Sequence, residues 1–124
     1  MDDPDEYSLV RRAFASARGA RNYVTGYVEW IDDEAANIAR SKLACLDGLT
    51  PDEVRRMSID YVNDGHPLVQ SKETRENWSE FSFKYIVEMP MDGFPWCVFV
   101  EFRLNDSDPK DPTVHIVSAH RAGV

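Results

Sequence analysis

The spacing of apolar residues changes from a helical to a strand period part-way along this chain of 124 residues. From about residue 5 to residue 63, apolar side chains recur every three or four positions, which is typical of amphipathic helices. From residue 78 to residue 120 they alternate with polar residues, as half-buried strands require. The pattern therefore predicts a helical part followed by an antiparallel sheet, with a polar loop over residues 64–77 between them.

The helical part is predicted to contain three helices. The first spans residues 5–20 and is broken at Gly19, and the second spans residues 22–46 with Gly48 as its C-terminal stop. The third spans residues 51–62 and begins at the clearest local signal in the chain. There, Thr50 and Glu53 can form a capping box, and Pro51 suits the first helical position because its missing N–H is not needed.

Three strands are predicted in the second part of the chain. Two alternating segments, residues 81–89 and 96–104, flank a turn that contains Asp92 and Gly93, so they should pair as a hairpin. A shorter third strand covers residues 113–119. The expected fold is a single α+β domain over residues 1–124. Its two N-terminal helices and third helix pack on one face of a three-stranded, or four-stranded, antiparallel meander.

Strand parity assigns side chains to the two faces of this sheet. The face toward the helices is predicted to carry Phe81, Phe83, Tyr85, Val87, Trp96, Val98, Val100, Phe102, Val114 and Ile116. The opposite face is predicted to carry Lys84, Glu101, Arg103 and His115, with His120 and Arg121 at the end of the third strand. Such a surface can bind an anion, with Glu101 and His115 as binding residues, and can transfer a proton. Opposite charges on neighbouring strands are also ordinary cross-strand pairs, which is the simpler interpretation.

The net charge of the chain limits the classes of partner that it is expected to bind. A formal charge of −8 repels nucleic-acid phosphates at long range, because binding to them depends on clustered Lys and Arg, and DNA is not an expected partner. One basic island, residues 7–28, contains four arginines and no acid. Arg11, Arg18 and Arg21 fall on one helical face there. They are candidate binding residues for an acidic partner, and the alternative is a solvated helix face.

Several classes of protein have no support in the sequence. No apolar run approaches the roughly 20 residues of a membrane span, so no membrane partner is expected. The acidic first residues differ from a signal peptide, which favours the cytoplasm. Cys45 and Cys97 form neither a disulfide framework nor a metal quartet. The acidic loop of residues 105–112 lacks the Gly and the closing Glu of a calcium loop. No metal or other cofactor is therefore expected, and no local catalytic motif is found.

Residues 43–121 follow a recognisable order. A helix ends at a Gly, the sequence Leu-Thr-Pro-Asp-Glu-Val begins the next helix, and three strands close on Val-His-Ile-Val-Ser-Ala-His-Arg at residues 114–121. This order resembles the RelE-like toxin superfamily, and within it the BrnT-like and MqsR-like branches. The resemblance implies a small α+β domain and, as in many members, a ribonuclease that binds RNA on the sheet. Under it, the candidate catalytic residues are Lys84, Arg103, His120 and Arg121.

The sequence leaves three functional hypotheses and does not decide whether the chain is an enzyme. The leading one is a module that binds a protein partner or itself, through helices or an exposed sheet edge. It is favoured by the acidic charge and by the absence of a catalytic motif. The alternative is a RelE-like endoribonuclease, in which His120 transfers a proton while nearby cations offset charge on the phosphate. RNA is a partner only under this alternative. The third is a small-molecule site near Tyr23, Tyr27 and Trp30.

Overall fold

The computed structural model describes residues 5–20, 22–31, 49–76, 79–91 and 97–122. These residues form two helices and five strands: α1 (Glu6–Arg18), β1 (Val28–Trp30), α2 (Pro51–Asn63), β2 (Val69–Lys72), β3 (Phe83–Pro90), β4 (Cys97–Asp106) and β5 (Thr113–Ala122). The strands form one sheet in the order β1-β5-β4-β3-β2. β1 runs parallel to β5, and all other neighbours are antiparallel.

Both helices begin at the residues that the sequence indicates. Asp5 accepts a hydrogen bond from the backbone N–H of Ser8 at 2.8 Å. Thr50 accepts one from the N–H of Glu53 at 3.1 Å, and the Glu53 carboxylate accepts the Thr50 N–H at 3.2 Å, so the predicted capping box is confirmed. α1 ends at Gly19, whose φ of 55° lies in the left-handed region that favours glycine. Neither of these helices has the length and apolar character to cross a membrane.

The two helices pack side by side on one face of the sheet. Phe14 of α1 meets Phe102 of β4 edge to face, with ring centroids 5.1 Å apart. Fully burying each large apolar side chain in such a layer contributes about 1.5–3 kcal/mol. The fully buried members of this layer include Val10, Phe14, Val54, Ile59, Val62, Tyr85, Val87, Val98, Val100, Phe102, Val114 and Ile116. The predicted inner face is therefore confirmed for the predicted residues that lie in the described strands, whereas Phe81 precedes β3 and Trp96 lies outside the described residues.

A buried arginine of α2 binds the segment that leads into β1. Arg55 donates to the backbone carbonyls of Val28 at 2.7 Å, Tyr23 at 3.1 Å and Val24 at 3.0 Å. It also pairs with the carboxylate of Glu29 at 2.9 Å. Inside a helix these carbonyls would accept backbone N–H groups of the next turn. The contacts of Arg55 therefore hold this segment in a non-helical conformation.

The predicted fold class is wrong in the helices and in the sheet. The described chain has two helices and a five-stranded mixed sheet with one parallel pair, instead of three helices on an antiparallel meander. Residues 22–31, predicted as the start of the second helix, form turns and β1, while residues 32–48 of that prediction lie outside the described residues. β1 has only three residues, too few to show alternation, and it pairs with the distant β5.

The predicted polar loop contains a strand. β2 pairs with β3, with Val69 opposite Ile86 and Lys72 opposite Phe83. Because β2 lies at the edge of the sheet and is largely exposed, it needs no alternating apolar pattern, and Val69 is its one apolar residue. The predicted hairpin and third strand are confirmed as β3, β4 and β5. Residues 92–96 of the hairpin turn lie outside the described residues.

Candidate functional site

The sheet face opposite α1 and α2, called here the outer face, carries most of the predicted polar residues. Arg103 lies opposite His115, whereas Glu101 lies opposite Ser118, because the register shifts between these pairs. The shift leaves Val117 as an extra residue in β5, which is the arrangement of a β-bulge. His115 and the later His120 are five residues apart and would fall on opposite faces of a regular strand. The bulge places both on the outer face.

A network of four alternating charges fills part of the outer face. The guanidinium of Arg103 contacts the carboxylates of Glu73 and Glu101, the latter at 2.9 Å. Arg75 contacts the same two carboxylates, with Glu73 at 3.1 Å. The side chains of Arg103 and Glu73 are each 1% exposed, and that of Glu101 is 8% exposed. These residues are called here the ion network (Glu73, Arg75, Glu101 and Arg103). Its formal charge is zero.

The ion network lowers the pKa of Glu73 to about 2. Burial opposes ionisation of this carboxyl, but hydrogen bonds from Arg75 and the positive charges of Arg103 and Arg75 outweigh it. The hydrogen bond to Glu73 also raises the pKa of Arg75. Glu73 therefore stays ionised at neutral pH, and Arg103 is held by internal carboxylates.

The predicted catalytic residues lie at two separate levels of the outer face. Lys84 precedes Tyr85, which pairs with Phe102, so Lys84 lies at the level of Arg103. His120 lies opposite Phe99. Four residues of β4 separate these levels, which is roughly 13 Å at about 3.3 Å per residue. Lys84 and Arg103 are therefore neighbours on the sheet, but neither is brought to His120.

The end of β5 presents an exposed imidazole. His120 stacks on Phe99 with ring centroids 4.6 Å apart and an interplanar angle of 28°. Arg121 is exposed and lies opposite Val98, whose side chain faces the helices. Adjacent strand residues point to opposite faces, so His120 and Arg121 do not share one surface.

None of the protein families, curated proteins or solved structures that we compared with this chain matches it.

The predicted binding arginines of α1 are bound within the molecule. Arg18 pairs with Asp60 at 3.6 Å and with Asp64 at 3.0 Å. Arg11 donates at 3.3 Å to the tyrosine hydroxyl one turn before it and at 3.5 Å to a backbone carbonyl of α2. Arg21 lies outside the described residues. The basic face of α1 therefore joins the two helices, and it leaves Arg12 as its exposed arginine among those described.

The edge strand β2 was missed by sequence reasoning, and it lies at an exposed edge of the sheet. The N–H of Glu73 donates to the carbonyl of Ser82 at 3.0 Å. This bond continues the pairing register of β2 and β3 by one residue. In an antiparallel ladder, alternate residues direct both backbone groups to the same neighbour. Ser71 therefore faces β3, and Gln70 and Lys72 direct their N–H and C=O groups away from the sheet. In the described part of the chain, no hydrogen bond reaches these four groups.

The side chains around this edge combine one exposed apolar residue with two lysines. Val69 is 52% exposed and lies beside Ile86 on the outer face. Lys72 is exposed, and Lys84 lies opposite Ser71. A β-branched residue followed by an edge lysine is a recognisable signal of an edge strand, so the sequence did contain evidence for β2.

Proposed function

We propose that this protein is a binding module that adds a strand of a protein partner to the edge of β2. The observation that supports this most directly is the outward direction of the backbone groups of Gln70 and Lys72 on an exposed edge. Extended segments bind such edges through main-chain hydrogen bonds, and neighbouring side chains select the sequence. Among the described strands, the other edge, β1, has only three residues.

The ion network supports the proposal because it fixes the end of β2. Glu73 follows Lys72 directly, its N–H is bonded to Ser82, and its carboxylate is held by Arg103. An edge that is already ordered loses less conformational entropy when a partner binds. The cytoplasm stays the predicted location of the module.

Replacing Lys72 by proline should weaken partner binding at least tenfold. The N–H of Lys72 points away from β3, so proline removes a bond to the added strand and keeps the ladder within the protein. One lost hydrogen bond, at about 1 kcal/mol, together with the bulk of the ring corresponds to about this change. Binders selected from a displayed library of random twelve-residue peptides, measured by calorimetry, provide the test.

Lys72→Ala is the matched control, because it removes the same side chain and keeps the N–H. We expect it to weaken binding less than threefold, and circular dichroism should show both variants folded. Equal affinities of the alanine and proline variants would contradict strand addition, and so would a selection that yields no binder.

A second candidate, the RelE-like endoribonuclease, is favoured by one observation. The exposed imidazole of His120, stacked on Phe99, lies on a face that no described helix covers. In this function His120 would transfer a proton. Lys84 would have to act from about 13 Å along the sheet, and Arg103 would first have to leave its carboxylates. The geometry therefore supports this candidate less than strand addition.

We expect a labelled RNA oligonucleotide to remain intact when incubated with the wild-type protein. His120→Ala is the informative variant, and His66→Ala is its control, because His66 is an exposed imidazole that stacks on Tyr61 at 4.4 Å. Gel electrophoresis of the RNA reads the result. Cleavage by the wild type that is lost in His120→Ala and kept in His66→Ala would replace the binding module with the ribonuclease.

A further inference from the structure

We infer that the strand accepted by β2 carries carboxylates, a statement that rests on the proposed strand addition. The edge is positively charged although the chain as a whole has a net charge of −8. Lys72 lies at the end of β2, and Lys84 neighbours Ser71 on the adjacent strand. No ion pair involves either lysine in the described part of the chain.

Several acids lie near this edge, and in the described part of the chain none of them forms an ion pair with Lys72 or Lys84. On the helix face, the carboxylate of Glu6 accepts a hydrogen bond from Tyr85, the residue opposite Gln70 of β2. Glu73 and Glu101 are buried in the ion network, where two arginines neutralise them. Glu88 lies four residues from Lys84 along β3, which is roughly 13 Å and beyond the screening length of about 8 Å at physiological salt. Glu76 and Glu80 follow the network and form no ion pair with either lysine. The two lysines therefore remain available to an incoming strand.

The positions of the lysines predict a sequence pattern for the partner. Lys72 pairs with Phe83 and so lies toward the helices, whereas Ser71 and Lys84 lie on the outer face. An added strand alternates its side chains between the same two faces. A residue opposite Lys72 meets that lysine directly. The next residue, opposite Ser71, can reach Lys84 across the small serine side chain.

The apolar residue of β2 completes the pattern. Val69 lies three positions before Lys72 and is 52% exposed. In an antiparallel partner, the more frequent arrangement in sheets, the order is therefore acid, acid, any residue, apolar residue. This is a short acidic segment with one anchoring side chain.

A second copy of this chain fits the edge poorly. Pairing β2 with itself would bring the same two lysines, Lys72 and Lys84, toward their counterparts, and like charges across neighbouring strands are destabilising. An acidic segment of another protein has the complementary charge. The occupant is accordingly an extended acidic peptide segment.

Three synthetic peptides test the charge of the partner. Each is a fluorescein-labelled octapeptide of the form Thr-Thr-X-X-Thr-Val-Thr-Thr, with X as Glu, Gln or Lys, and fluorescence anisotropy reports binding. We expect the Glu peptide to bind about three- to tenfold more tightly than the Gln peptide, as two exposed ion pairs allow. The Lys peptide should bind most weakly. Raising the salt from 50 to 300 mM should reduce the preference, because exposed pairs are screened.

Lysine variants assign the preference to the edge. Lys72→Gln and Lys84→Gln should each weaken binding of the Glu peptide about twofold to threefold, and each should weaken binding of the Gln peptide less than that of the Glu peptide. Lys110→Gln is the matched control, because Lys110 is an exposed lysine between β4 and β5. An equal effect of the Lys110 variant would overturn the assignment.

The outcomes separate this inference from strand addition itself. If the Glu and Gln peptides bind equally and Lys72→Pro still abolishes the binding of both peptides, the edge adds a strand but has no preference for acidic residues. If no peptide binds and Lys72→Pro has no effect on library-selected binders, strand addition is itself wrong. A dimer seen by light scattering and abolished by Lys72→Pro would assign the edge to a second copy and overturn the acidic partner.

Discussion

Replacing Arg103 by alanine should lower the free energy of unfolding by about 3–5 kcal/mol. The guanidinium of Arg103 lies between two carboxylates, those of Glu73 and Glu101, which are 1% and 8% exposed. Without it, the buried acids face each other with only Arg75, which is partly exposed, to compensate them. An uncompensated buried charge is costly because water cannot solvate it. Urea unfolding at neutral pH, followed by circular dichroism, measures the difference.

Arg56→Ala is the control for this experiment. Arg56 also pairs with a carboxylate, that of Asp52 at 2.9 Å, but both side chains are more than half exposed. Pairs of this kind on a helix surface contribute about 0.5 kcal/mol or less. A loss in Arg103→Ala no larger than in Arg56→Ala would show that the ion network is not buried in solution.

The expected cost changes how Arg103 is understood. Its position on the sheet and its positive charge made it a candidate catalytic residue under the RelE-like resemblance. In the structure it instead contacts Glu73, Glu101 and the backbone carbonyl of Phe102. Loss of activity in an Arg103 variant would therefore be explained by unfolding as readily as by the loss of a catalytic group. Any assay of this residue needs a parallel measurement of stability.

Local signals account for the parts of the fold that were predicted correctly. The capping box of Thr50 and Glu53 places the start of α2 within one turn of the chain, and Gly19 ends α1 in the same way. The hairpin of β3 and β4 follows from two alternating segments that are close in sequence. In each case, the residues whose types predict the element also make the contacts that form it.

The parts that were missed depend on distant contacts or on exposure. β1 is held by β5 and by Arg55, and neither is near it in sequence. β2 is an exposed edge and so lacks the alternation that reveals a buried strand. The bulge at Val117 changes the face of the sheet on which His120 lies, and no local sequence pattern predicts this bulge. The alternation of side chains along the predicted strands therefore identified the outer face of the sheet. It did not identify the edge strand that we propose as the binding site.

The burial of charges in the ion network also could not be predicted from the local sequence. Lys72-Glu73-Thr74-Arg75-Glu76 has the composition of a solvated loop, and the sequence alone gives no reason to bury Glu73. Burial follows only when β2 brings Glu73 to Arg103 on a strand that is thirty residues away. A residue of the predicted polar loop thus becomes one of the most buried charged side chains among the described residues.

Acid should destabilise the wild-type protein more steeply than the Glu73→Gln variant. The pKa of Glu73 is lowered from an ordinary 4.5 to about 2 in the folded state, because its arginine partners outweigh its burial. Between these values the unfolded chain binds a proton that the folded chain does not, so stability falls as the pH is lowered. The contribution is fully present above about pH 5 and is lost as the pH falls through about 2. It amounts to about 3 kcal/mol, since each pH unit corresponds to about 1.4 kcal/mol.

Urea unfolding at pH steps from 2.5 to 7 tests this expectation. The amide of Glu73→Gln cannot titrate, so the variant should be less stable than the wild type at pH 7 and should approach it near pH 2.5. Glu88→Gln removes an exposed carboxylate from the same face and controls for the change in net charge. Curves that run parallel for Glu73→Gln and the wild type would show that Glu73 has no ionised partner in the folded state. Because Glu73 fixes the end of β2, the variant should also bind the uncharged Gln peptide more weakly at pH 7, which connects the ion network to the edge.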